Sequence, residues 1–283
     1  MQSALKLKKE LEFNTELKQV LDVLKGTAAS QFRQIESRKE RFAAFTHAFE
    51  AFFQMIDFNS LDHPFARAQG RLGIVIMTSD EGFMGGLNTK VINRALAFPK
   101  AAQASLIVVG ERGAAFLKGL GHGCTLFPGI SHEENDEGCW RLRDYIVQQA
   151  LKGMFSRLVL FYPKPVSFTQ QRVESLTMLP CTEMFEKRER LFPAEDLILD
   201  SSVDKIVEYL FGAWVLQRLL EVFEDSKLSE LSARVVHLEG SNQVLQQRER
   251  ALKNQYFRSH HELVDRGMRD IFSSQLIRQR KQG

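Results

Sequence analysis

Apolar residues recur along the first arm of the chain with a seven-residue repeat. Positions 14, 17, 21, 24, 28, 31, 35, 38, 42, 45, 49, 52 and 56 carry Asn, Leu, Leu, Leu, Ala, Gln, Ile, Arg, Phe, Phe, Phe, Phe and Ile, and ten of these 13 are apolar. A 3.5-residue period asks for a partner helix along one narrow stripe. The C-terminal arm repeats the pattern at Leu228, Leu231, Val235, Leu238, Asn242, Leu245, Leu252 and Tyr256, interrupted at Glu249. Its stripe then slips toward Val264, Met268, Ile271 and Gln275. At about 1.5 Å per residue the first arm predicts a rod of roughly 65 Å, and the second, if unbroken, one of roughly 110 Å. Polar seam residues (Asn14, Gln31, Arg38, Asn242, Glu249) suit a coiled coil that fixes register.

Between the arms the periodicity shortens. Leu72–Thr78, Ser105–Val109, Cys124–Phe127 and Arg157–Tyr162 are short apolar runs that read as buried strands. Val173–Leu179 alternates and reads as a fifth strand at an edge. Helical stretches follow at Leu87–Leu96, at Ala114–Leu117 and at 137–152. Strand–helix repeats of this length predict a small, doubly wound, Rossmann-like parallel sheet. The fold class is therefore α/β, with a long antiparallel two-helix coiled coil formed by the arms.

Proline usage sharpens the division. All seven prolines lie between Pro64 and Pro193, and 13 of the 18 glycines lie between Gly70 and Gly153. Both residues oppose long helices. The expected organisation is an N-terminal helical arm over 1–63, an α/β domain over 64–193 and a C-terminal helical arm over 194–283.

Composition narrows the classes of function. Hydrophobic residues make up 44% and charged residues 26% of the 283, which excludes a wholly disordered chain. A net charge of +3 is too mild to argue for nucleic acid. Three cysteines (Cys124, Cys139, Cys181), without a Cys-x-x-Cys, read as reduced thiols. The first residues lack the apolar stretch of a secretory signal, and no run is long enough to span a bilayer. Charge gathers near the end: from Ser241 to Gly283 nine basic residues face four acidic ones. A basic helix can meet nucleic acid, a membrane or an acidic protein cavity, or simply water.

The most distinctive local feature is Thr78-Ser-Asp-Glu-Gly-Phe-Met-Gly-Gly-Leu-Asn-Thr89, between a strand and a helix. Glycine-rich turns there can bind phosphate. This one is neither G-x-G-x-x-G nor a Walker loop, and Asp80 and Glu81 would repel a phosphate. A tight packing turn or a docking loop for another protein fits better. No zinc spacing appears around His122, Cys124, His132 and Cys139, and His260-His261-Glu262 lacks the second histidine of a zincin helix. No nucleophile elbow is present. No catalytic residue, cofactor or metal is expected.

These pieces resemble the gamma subunit of F-type ATP synthases. Thr78–Asn88 matches that family's signature turn. Ile107-Val-Val-Gly110 with Arg112-Gly113, Arg157–Tyr162, and Ser229-Glu-Leu-Ser-Ala-Arg234 resemble its later strands and its entry to the last helix. Ala28-Ala29-Ser30 with Arg33 resembles its alanine-rich shaft segment. There are departures. Leu21-Asp-Val-Leu24 and Gly26-Thr27 replace the usual residues before the alanines. His260-His261, Val264-Asp265 and Phe272–Leu276 replace the usual ones near the end, as in a divergent branch.

The resemblance implies a non-catalytic central rotor shaft, coupling ion flow through a membrane ring to ATP synthesis or hydrolysis in a catalytic head. It implies contact with the head's alpha and beta subunits through Ala28, Ala29, Ser30, Arg33, Tyr256, Arg258, His260, His261, Glu262 and Asp265. It implies contact with the c-ring through Ser79, Asp80, Gly82, Gly85, Gly86, Leu87 and Asn88, and an epsilon subunit as a further partner. It implies no nucleic acid, and a peripheral place on the cytoplasmic face of a bacterial inner membrane. Two other readings stand beside it on the residues alone: a nucleotide-binding enzyme with helical extensions, and a coiled-coil scaffold or adaptor.

Overall fold

The computed structural model describes residues 4–37, 63–65, 70–130, 135–180 and 203–280. The expected first-arm seam from 38 to 56, His132 and Cys181 lie outside them. The described chain forms two compact units, one of residues 1–27 with 237–283, the other of residues 28–236. Two helices contribute to both: α1 (Ala4–Glu36) and the 78-residue α5 (Val203–Arg280).

In the first unit, Leu7, Asn14 and Leu21 of α1 are buried at exact seven-residue spacing, with Leu238, Asn242 and Leu252 buried on α5. Polar ties set the pairing. Asn14 donates to the Leu245 carbonyl at 3.1 Å, Asn242 donates to Asp22 at 2.6 Å, and Lys25 meets Glu239 at 2.9 Å. As the α1 number rises its partner's falls, so the helices are antiparallel. The Glu239 carboxylate pushes the Lys25 ammonium above its ordinary range, and that same ion pair holds Glu239 below the usual carboxylate range. Leu24, placed in the seam by its spacing, is 38% exposed. The expected slipped stripe also turns out differently: Val264, Met268 and Ile271 are 42–60% exposed. Among the described residues the seam ends near Tyr256.

The second unit holds a five-stranded sheet ordered β3-β2-β1-β4-β5. The strands are β1 (Leu72–Met77), β2 (Ser105–Val109), β3 (Thr125–Phe127), β4 (Arg157–Ser167) and β5 (Gln170–Leu179). All pair in parallel except β5, which runs antiparallel to β4. β1 is buried along its whole length, which is why it reads as an unbroken apolar run. Its alternate side chains serve two cores. Ile74 and Ile76 join Val91 and Ile92 of α2 (Leu87–Leu96) and Leu117 of α3 (Glu111–Gly119). Val75 and Met77 join Leu142 and Ile146 of α4 (Asn135–Leu151), with Phe211, Trp214 and Leu219 of α5. Each such fully buried side chain contributes about 1.5–3 kcal/mol.

β4 runs five residues past the predicted Tyr162, through Pro163 and Pro165. β1 pairs with Arg157–Phe161, so among the described residues no strand pairs with this edge of the extension, where a missing N–H costs no ladder bond.

Candidate partner-docking surfaces

The turn after β1 is tied down at nearly every residue. Thr78 donates to the Val109 carbonyl twice, from its N–H at 2.8 Å and its hydroxyl at 2.6 Å. Two glycines make room for this. A Cβ on Gly113 would lie 2.1 Å from the Thr78 hydroxyl, and one on Gly110 would lie 2.7 Å from the Ser79 nitrogen. Ser79 is buried; its hydroxyl donates to the Glu81 carbonyl and accepts from the Asn88 amide, both at 2.9 Å, which closes the turn on itself.

Asp80 spends its carboxylate on backbone. One oxygen accepts from the Glu111 N–H at 2.7 Å, at the start of α3, where a negative charge is favoured by the helix dipole. The other accepts from the Gly129 N–H at 2.9 Å. Gly85 and Gly86 both take positive φ, and Gly86 opens α2 in the left-handed region. Leu87 is buried with Met84 and Ala233.

Of the seven turn residues expected at a partner surface, Asp80, Gly85 and Gly86 are exposed. Gly82 and Asn88 are half-buried, and Ser79 and Leu87 are buried. The spacing missed Phe83, which is 57% exposed and carries a φ of +66°. For a bulky residue this backbone is strained, and it persists because the tied-down turn around it imposes that conformation.

Sequence reasoning also missed the residues that fasten this turn to α5. Arg234, 7% exposed, donates to the Gly82 carbonyl at 3.3 Å and pairs with Glu81 and Glu230, each at 2.7 Å. Glu230 also pairs with Lys227 at 3.3 Å, and Lys227 donates to the Ile130 carbonyl at 3.0 Å. Two cations and two carboxylates thus balance within one network. Buried charges are tolerated when they are paired this way. The sequence signals were the i, i+4 spacing of Glu230 and Arg234 and the Ser229–Arg234 motif that holds both, neither of which pointed to Gly82 or Glu81.

The expected head-facing residues fall in separate parts of the chain. In the second unit Ala28 is buried against Phe32, Leu228 and Leu231, Ala29 is half-buried, and Ser30 and Arg33 are exposed. In the first unit Tyr256 is half-buried with its ring 6.0 Å from that of His260, while Arg258, His260, His261, Glu262 and Asp265 are exposed. None of these side chains forms a catalytic cluster. Among the described residues no group of three or more His, Cys, Asp or Glu is placed to hold a metal, and no helix is long and apolar enough to cross a membrane.

Comparison with known proteins agrees with this architecture. A family model described as ATP synthase matches residues 3–275. The ATP synthase gamma chain of Nitrosomonas eutropha is 22% identical, over 86% of this chain and 88% of that one. Among solved structures, a chain of the Euglena gracilis mitochondrial ATP synthase (OSCP/F1/c-ring, rotational state 3) superposes with a TM-score of 0.72. It is 16% identical and covers 96% of this chain and 93% of that one. A chain of the Tetrahymena thermophila mitochondrial ATP synthase central stalk and c-ring gives a TM-score of 0.61 at 19% identity, covering 78% of this chain and 99% of that one.

Proposed function

The chain belongs to the gamma family of the ATP synthases, and we propose that it works as the non-catalytic central rotor shaft of an F-type complex. The observation that carries this reading is the antiparallel pairing of α1 with α5, pinned by Asn14, Asp22 and Asn242. Paired helices resist bending and twisting better than one, and a shaft must do both.

The mechanism follows from differential contact. A partner can bias an equilibrium only by interacting unequally with its states. A shaft whose sides differ therefore drives each catalytic site of the head through different shapes as it turns. We assign the head contacts to the exposed Ser30, Arg33, Arg258, His260, His261, Glu262 and Asp265, with Tyr256 and Ala29 partly available. Ala28 acts indirectly, through the packing that holds α1. On the c-ring side, Asp80, Gly82, Gly85, Gly86 and Asn88 present the turn, while Ser79 and Leu87 hold its shape. The complex moves protons or sodium ions. The shaft sits peripherally on the cytoplasmic face of a bacterial inner membrane, with an epsilon subunit beside it.

The test is reconstitution. Purified alone, the chain hydrolyses no ATP; mixed with the alpha and beta subunits of an F-type head from the same source, it co-elutes with a hexameric head and changes that head's ATPase rate. Failure to join any such head overturns the reading.

A further inference from the structure

The tip of the β4–β5 hairpin reaches away from the sheet core and touches both long helices within the second unit. A two-residue turn, Phe168-Thr169, joins Ser167 to its cross-strand partner Gln170. The Phe168 ring meets the Phe32 ring of α1 edge-on, with centroids 5.0 Å apart and planes at 84°. Edge-to-face is the favoured geometry for two rings. Three residues on, the Gln171 side-chain amide donates to the Ser232 hydroxyl of α5 at 3.0 Å. Ser232 has no solvent exposure, and its hydroxyl donates onward to the Ser229 carbonyl at 3.1 Å. The hairpin thus supplies a polar partner for a hydroxyl that water does not reach.

Among the described residues the two helices also meet at this level through an apolar cluster of Ala28, Phe32, Ile35, Leu228 and Leu231, with Val235 packed against it. Such apolar contact resists separation but has no direction, so it resists sliding weakly. The Gln171 hydrogen bond and the Phe168 ring pair do have direction.

We infer that the β4–β5 hairpin tip is a torque clasp, in which Phe168 and Gln171 are positioning residues that fasten α1 and α5 together to the rotating sheet. This rests on the rotor reading above. Rotation delivered to the sheet must reach both helices equally. If it reached α5 alone, the load on α1 would fall entirely on its direct ties to α5 at Asn14, Asp22 and Lys25. The clasp joins each helix to one rigid hairpin.

The experiment uses the whole membrane complex, with ATP-driven ion pumping measured against opposing ion gradients of increasing size. A clasp matters only under load. In Phe168→Ala and Gln171→Ala complexes, ions moved per ATP should match the unsubstituted complex without a gradient. They should fall about fivefold against a steep one, the smaller end of what one coupling contact carries. Phe168→Tyr, which keeps the ring, should restore the ratio. A ratio that is unchanged under load, or lowered equally at every load, overturns the clasp. If Phe168→Ala does not assemble, Gln171→Ala decides by the same criterion. An unsubstituted chain that joins no head overturns the rotor reading, and the clasp with it.

Discussion

Gly113→Ala sets two well-known effects against each other. Gly113 lies inside α3, and alanine is favoured over glycine in a helix interior by about 1 kcal/mol. Propensity alone therefore predicts a more stable protein. The packing predicts the reverse. The new Cβ would lie 2.1 Å from the Thr78 hydroxyl, 2.7 Å from its Cγ2 and 2.9 Å from its Cβ, all closer than real contacts allow. Thr78 is buried, so its side chain can clear the methyl only by rotating away from the Val109 carbonyl, to which it donates at 2.6 Å. Losing that bond costs about 1 kcal/mol. Forcing extra volume into a filled site costs about 1–3 kcal/mol more. Net of propensity, the substitution should destabilise by about 1–3 kcal/mol. The assay is urea unfolding followed by circular dichroism, with two companions. Gly138→Ala, also within a helix but with its nearest neighbour at an ordinary 3.5 Å, should be neutral or stabilising. The double variant Thr78→Ala/Gly113→Ala should recover part of the loss, because it removes the two closest atoms, a coupling read from the double-mutant cycle. A Gly113→Ala protein as stable as Gly138→Ala would refute the claim that this glycine exists to seat Thr78.

Two further substitutions probe the second unit. Leu231→Ala empties a fully buried position between Ala28, Phe32 and Leu228 and should cost about 2–5 kcal/mol in the same urea assay; a loss below about 1 kcal/mol would mean the helices do not depend on this seam. Burial, aided by the Asp225 charge, pushes Tyr162 up to about 12. The fold favours its neutral form, so that contribution is complete below the ordinary tyrosine value near ~10 and is lost as the pH climbs toward the raised one. An alkaline absorbance titration should show one of the four tyrosines ionising near 12, and Tyr162→Phe should delete that step.

The sequence exposed what repeats and hid what is made once. α2 and β2 occupy their expected residues, because each is bounded by glycine, proline or a change of period. The α1 seam was legible for the same reason, down to the buried Asn14. β4 was read short because proline argues against a strand, and only the sheet order reveals the edge, unpaired among the described residues, that admits it. The Thr78–Asn88 turn stood out as a motif, yet its purpose did not. Asp80 was read as a charge that would repel a phosphate, whereas its carboxylate accepts from the N–H groups of Glu111 and Gly129, residues 31 and 49 positions away. Arg234 and Gln171 were invisible as partners because their contacts join Gly82 and Ser232 across 152 and 61 positions. Spacing along a chain carries no trace of such pairings.

The unequal extents of α1 and α5 have an elastic consequence. Alongside its neighbour, α5 is braced; among the described residues no second helix runs beside Arg258 through Ser273, whose residues are, apart from the half-buried Ser259, all exposed. Stiffness in such a composite is governed by its thinnest section. Any twist stored between one step and the next would concentrate in that slender stretch, as in a spring soldered to a thicker axle. The histidines and carboxylates from His260 to Asp265 lie on it, so a catch and release there would be felt first as recoil and only later as motion at the other end.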